Sequence, residues 1–96
     1  MTAEQTGIYE GAIRFRGAER EIPVRGILEC DGFTGTAEGR TVVIDIDLMR
    51  RGDVLAGFAQ ITTPSASLPF AVTARLDRDT IIITGPKLEG QLKRVM

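Results

Sequence analysis

The sequence predicts an all-β domain of about eight short antiparallel strands, in an up-and-down meander that forms a small barrel or sandwich without significant helix. Three observations predict it. Apolar and polar residues alternate with period two along most of the chain, the spacing that puts successive side chains on opposite faces of a sheet. Turn signals recur at intervals of about 8–14 residues, the rhythm of small sandwiches and barrels. No segment carries apolar residues at helical spacing. Residues 1–7 (MTAEQTG) read as a flexible N-terminal tail, and residues 8–96 as one domain.

Residues 8–16 form the first strand, with Tyr9, Gly11, Ile13 and Phe15 on one face and Glu10, Ala12, Arg14 and Arg16 on the other. A two-residue turn at Gly17-Ala18 sets Arg16 against Glu19, Arg14 against Glu21, Ile13 against Ile22 and Glu10 against Arg25. Pro23 has no N–H for the ladder, so it belongs at a non-bonded position or a bulge. Residues 22–46 read as a three-stranded meander. Asp31-Gly32 suits a type I′ turn, because both residues tolerate positive φ, and it sets Leu28 against Gly35 and Arg25 against Glu38. Glu38-Gly39 is a second such turn, setting Gly35 against Val42 and Phe33 against Ile44. Both turns agree on one inner face holding Val24, Gly26, Leu28, Phe33, Gly35, Ala37, Val42, Ile44 and Ile46. A slip of one residue in either would turn an apolar set outward.

Residues 49–53 are expected to be a longer loop with Gly52 at its tip. The fifth strand, residues 54–61, follows with Val54, Ala56 and Phe58 inward and Leu55, Ala59 and Ile61 outward. A loop broken by Pro64 leads to the sixth strand, residues 68–76, with Leu68, Phe70, Val72, Ala74 and Leu76 inward. The turn at 77–79 leads to the seventh strand, residues 80–84, in which one of Ile81, Ile82 and Ile83 must oppose the other two. Gly85-Pro86 turns into the last strand, with Leu88, Gly90 and Leu92 inward.

The residue inventory excludes much chemistry. There is no histidine, which removes histidine acid–base catalysis and the commonest zinc sites. The single cysteine, Cys30, sits between Glu29 and Asp31, neighbours that oppose a thiolate, and it forms no internal disulfide. Ser65 and Ser67 have only Lys87 and Lys93 as basic partners. Asp45 and Asp47 share a strand face near Asp53, but no calcium-loop spacing accompanies them, and they read as solvated carboxylates or partners of Arg50 and Arg51. Arg51-Gly52-Asp53 spells an adhesion-like tripeptide that a glycine-tipped loop already explains. We therefore expect no enzyme, cofactor or metal site.

The net charge of −1 opposes a nucleic-acid binder that relies on charge, and Tyr9 and Phe15 lie on the face away from the arginines. The first residues show no secretory signal, and no apolar run approaches the length of a membrane span. The expected location is cytoplasmic, with no membrane partner.

The two halves of the sheet differ outside. The early strands carry a self-neutralising outer set of Glu10, Arg14, Arg16, Glu21, Arg25, Glu29 and Glu38. In the later strands the outer face becomes apolar, and no helix is present to cover it. This predicts a non-catalytic interaction or structural module that associates with itself or a larger partner. Its expected interface is Leu55, Ala59, Ile61 and Ile82. In pattern the chain also resembles small calycin-like barrels. That likeness is of architecture alone; the alternative function is binding of a small apolar ligand, with Phe15, Phe33, Phe58, Phe70 and the inner glycines lining the pocket.

Overall fold

A computed structural model describes residues 5–96. Eight strands follow in order: β1 (Gly7–Phe15), β2 (Ile22–Leu28), β3 (Gly32–Glu38), β4 (Val43–Arg51), β5 (Val54–Thr62), β6 (Ser67–Asp77), β7 (Thr80–Thr84) and β8 (Leu88–Arg94). Each pairs antiparallel with the next, and β8 pairs with β1 to close the barrel. The described residues contain no helix long and apolar enough to cross a membrane.

Closure is what buries the core. Along each strand alternate side chains point inward, and Tyr9, Ile13, Leu28, Phe33, Ile44, Leu48, Leu55, Ile81, Ile83, Leu88 and Leu92 fill the interior. An eight-stranded barrel has room for little more than such side chains. Phe33 packs against two glycines. Its ring lies over Gly26 and Gly35, where a Cβ on Gly26 would come within 2.4 Å of the ring and one on Gly35 within 2.8 Å.

The β1–β2 pairing follows the expected register, with Ile13 opposite Ile22 and Glu10 opposite Arg25. Arg25 and Glu10 form an ion pair at 3.3 Å. The ladder stops there, and the Ala18 N–H closes a turn on the Phe15 carbonyl. Arg14 and Arg16 consequently meet Glu89 across the closing seam, at 2.9 and 3.2 Å, rather than Glu21 and Glu19. Pro23 lies just beyond the last β2–β3 pair, Val24 with Ala37, where no donor toward β3 is needed.

Two registers differ from expectation while keeping their faces. Leu28 pairs with Phe33, not Gly35, because the turn spans Glu29 to Gly32 and closes with Glu29 N–H to the Gly32 carbonyl. Ala37 pairs with Ile44, and Phe33 with Leu48, because a loop from Gly39 to Val42 replaces the expected two-residue turn. These shifts of two and four residues leave every side chain on the face assigned to it.

The β4–β5 connection is the consequential difference. Residues 49–51, expected in a loop, continue β4 and pair with β5, so that Arg51 faces Val54 across the two-residue turn Gly52-Asp53. Gly52 has φ +62°, and the arrangement suits a type II′ turn with glycine first. This fixes the orientation of β5. Arg50 and Leu55 point inward, and Arg51 and Val54 outward. Leu55, Ala59 and Ile61 are therefore core residues, while Val54, Ala56 and Phe58 lie outside, the reverse of the expected assignment.

Gly7 already belongs to β1, and Gln5 crosses one mouth of the barrel. Its carbonyl accepts from the Tyr9 hydroxyl at 2.6 Å, and its side-chain amide donates to the Arg78 carbonyl at 3.2 Å. Residues 1–4 of the expected tail lie outside the described residues.

Candidate interaction surface

Three regions could carry function: the barrel interior, the mouth beneath Gln5, and the outside of β4, β5 and β6. The interior is occupied. Of the four phenylalanines expected to line a ligand pocket, Phe33 is buried over the glycines and Phe58 points outside. Phe15 and Phe70 are partly buried against the core.

The mouth beneath Gln5 is polar. Arg50, the one buried charged side chain among the described residues, extends the inward row of β4 past Leu48. Its Nε donates to the Gly52 carbonyl at 2.9 Å and its Nη2 to Gln5 Oε1 at 2.6 Å. Its Nη1 is buried and meets no partner among the described residues. Arg94 and Asp79 pair at 3.1 Å on the same rim. Burial, and next the Asp79 carboxylate, push the Tyr9 hydroxyl above its ordinary pKa of 10.0, against the opposing influence of Arg94 and Arg50. This cluster ties the N-terminal segment to the barrel, with the chain's own Gln5 as the acceptor.

The outside of β4, β5 and β6 is different in kind. Cross-strand pairing builds three outward rows here: Asp47–Phe58–Ala71, then Met49–Ala56–Thr73, then Arg51–Val54–Arg75. Phe58 is 61% exposed, Met49 70% and Val54 53%. Large side chains this open on neighbouring strands form a contiguous apolar surface, unlike the isolated exposed leucine of an ordinary protein face. Ile82 stands beside it, paired with Arg75, outward and partly buried. It is the only one of the four expected interface residues that lies on the outer face.

Charges on the two sides of the barrel are handled differently. Around β1, β2 and β8, Glu10, Arg14, Arg16, Arg25 and Glu89 neutralise one another in ion pairs. On the apolar side, Asp47, Arg51 and Arg75 have no ion-pair partner among the described residues. Asp45 only accepts a long hydrogen bond from Thr36 Oγ1, at 3.4 Å. An open groove over Gly26 and Gly35, edged by Ile8, Ile27 and Thr34, borders the same face.

The remaining sequence candidates stay apart. Cys30 is exposed in the β2–β3 turn. Ser67 bonds Gln60 at 2.7 Å and lies 3.0 Å from the Thr62 hydroxyl at the far end of the β5–β6 hairpin. Among the described residues, no three His, Cys, Asp or Glu side chains gather as metal ligands.

Sequence reasoning missed Phe58, Met49 and Val54. The Gly52-Asp53 pair was the signal that could have found them. Read as a two-residue turn, it carries the inward parity of Ile44, Ile46 and Leu48 through to Leu55 and leaves Phe58 outside.

No family model, curated protein or solved structure matches the chain.

Proposed function

We propose that this chain is a non-catalytic protein-interaction module that docks through the outer face of β4, β5 and β6, centred on Phe58. One observation carries the reading. Phe58, Met49 and Val54 stand open together, framed by Asp47, Arg51 and Arg75, which have no ion-pair partner among the described residues. An aromatic anchor beside exposed apolar neighbours, with arginine and aspartate at the rim, has the composition of an interaction hot spot. Leu55, Ala59 and Ile61, expected at the interface, are buried, and the surface proposed instead is built by Phe58 and Val54 on β5 and Met49 on β4. The calycin-like alternative needs interior space that Tyr9, Phe33 and Leu55 occupy.

The test compares the wild type with Phe58→Lys. Both are tagged and used to capture proteins from extracts of the source cells, and both are followed by sedimentation. Loss on Phe58→Lys of a protein bound by the wild type, or of self-association, supports the reading. Identical captured sets and identical sedimentation, with the fold intact by circular dichroism, refute it.

A further inference from the structure

The pattern of the docking face says what covers it. Its three rows are arranged symmetrically about the middle one. On β4, Asp47 and Arg51 lie on either side of Met49; on β5, Phe58 and Val54 lie on either side of Ala56. One flank of β4 is acidic and the other basic, with exposed apolar side chains between them. On β4 and β5 this surface is complementary to itself when the strand direction is reversed, while on β6 the reversal sets Arg75 against Ala71 at the edge of the face.

We propose that the partner of this face is a second copy of the same chain, docked face to face. The two-fold axis lies in the interface and runs across the strands, level with Met49, Ala56 and Thr73. This inference rests on the docking reading above and names its occupant. The operation sends each position on a strand to the position equally far beyond the middle row. Asp47 of each copy meets Arg51 of the other, twice by symmetry. Phe58 of each copy packs on Val54 of the other, again twice. Met49 meets Met49 and Ala56 meets Ala56 at the axis, as an isologous interface requires.

The alternative two-fold, with its axis along the strands, opposes Arg51 to Arg75 and Asp47 to Ala71, as the rows dictate. It pairs like charges and leaves the carboxylate without a cation, so the charge pattern selects the first arrangement. Both faces belong to convex barrels, which curve away across the strands; contact is confined to the outward side chains of β4 and β5 and their immediate neighbours, and this dimer belongs among small, weak interfaces. Its ion pairs set register and orientation, while Phe58, Met49 and Val54 supply the apolar contact.

Charge exchange tests the pairing directly. Asp47→Arg gives a face with arginine at both 47 and 51, so its own dimer opposes Arg to Arg twice. Arg51→Asp gives aspartate at both positions and repels itself in the same way. Mixed one to one, the two variants regain both pairings, each acidic position facing a basic one. The assay is analytical ultracentrifugation of the wild type, each variant and the mixture, from about 10 µM to about 1 mM, the span of weak association.

The expected result is a wild-type dimer, self-association weakened at least about tenfold in each variant, and a heterodimer in the mixture comparable to the wild type. Both side chains are exposed, so circular dichroism and melting of each variant should match the wild type. A wild type that stays monomeric, a dimer indifferent to both substitutions, or a mixture that stays monomeric overturns the arrangement. A monomeric wild type that still loses an extract partner on Phe58→Lys overturns the second copy alone and leaves the docking face standing. A monomeric wild type whose captured set is unchanged by Phe58→Lys removes both.

Discussion

Replacing Leu55 and Phe58 separately by alanine tests the orientation of β5, on which the docking face depends. The two residues lie three apart on one strand, both are large and apolar, and they point opposite ways. Leu55 is fully buried, and Phe58 keeps 61% of its surface in solvent. Leu55→Ala removes roughly three buried methylene equivalents, worth about 2.4 kcal/mol at about 0.8 kcal/mol each. The cavity left in a packed barrel raises the cost to about 3 kcal/mol, inside the range of about 2–5 kcal/mol for such truncations. In a domain of this length, that lowers the melting temperature by about 12–24 °C, at about 4–8 °C per kcal/mol. Phe58→Ala removes a larger side chain with far fewer contacts, and its cost should stay below about 1 kcal/mol. Urea and thermal unfolding by circular dichroism, at a concentration where the protein is monomeric, separate the two. If Phe58→Ala costs as much as Leu55→Ala, or Leu55→Ala costs under about 1 kcal/mol, β5 is turned the other way and the docking face loses its basis.

Three further outcomes follow from the geometry. Tyr9 is the only tyrosine and there is no tryptophan, so phenolate absorbance reports this residue alone. Its pKa is raised in the fold, so its contribution to stability is complete below pH 10.0, the ordinary value, and is lost as pH rises through the folded value; a folded-state midpoint at or below the one measured in urea contradicts the buried site. Arg78 holds φ +59° in the β6–β7 turn, a conformation that costs a non-glycine residue roughly 1–2 kcal/mol; Arg78→Gly should therefore raise the melting temperature, and a clear decrease shows that the side chain matters more than the backbone. Gly26→Ala places a Cβ 2.4 Å from the Phe33 ring and 2.5 Å from the Thr34 carbonyl oxygen, and should destabilise by more than about 2 kcal/mol in urea titration; a neutral effect means that Phe33 does not pack there.

Much of this protein is legible without its structure, because alternation is a local property. Tyr9, Ile13 and Phe15 on β1, Ile44 and Ile46 on β4, and Val72, Ala74 and Leu76 on β6 all point inward as period two requires. The same rule left the register open in β2–β3 and β3–β4. Shifts of two and four residues there change every cross-strand partner and no face, so alternation cannot detect them. Only the length of the connecting turn decides, and backbone hydrogen bonds at Glu29 and Gly39 set it.

At β5 alternation had two acceptable answers, since Val54, Ala56 and Phe58 make as plausible an apolar set as Leu55, Ala59 and Ile61. The choice belongs to the tertiary structure. The barrel carries β4 through to Arg51, the tight Gly52-Asp53 turn transmits its parity, and the interior accepts Leu55 while an arginine is drawn in at the mouth. By itself, then, the amino-acid sequence determined that the chain folds as eight antiparallel strands, though not that β4 runs on through residues 49–51, and that β5 keeps an apolar side outward whichever way it turns. The closing of β8 on β1 decided that Glu89, far along the chain, neutralises Arg14 and Arg16, while Asp47 and Arg51 meet no ion-pair partner among the described residues. Side-chain alternation is written residue by residue, whereas register, closure and charge pairing depend on which distant strands meet.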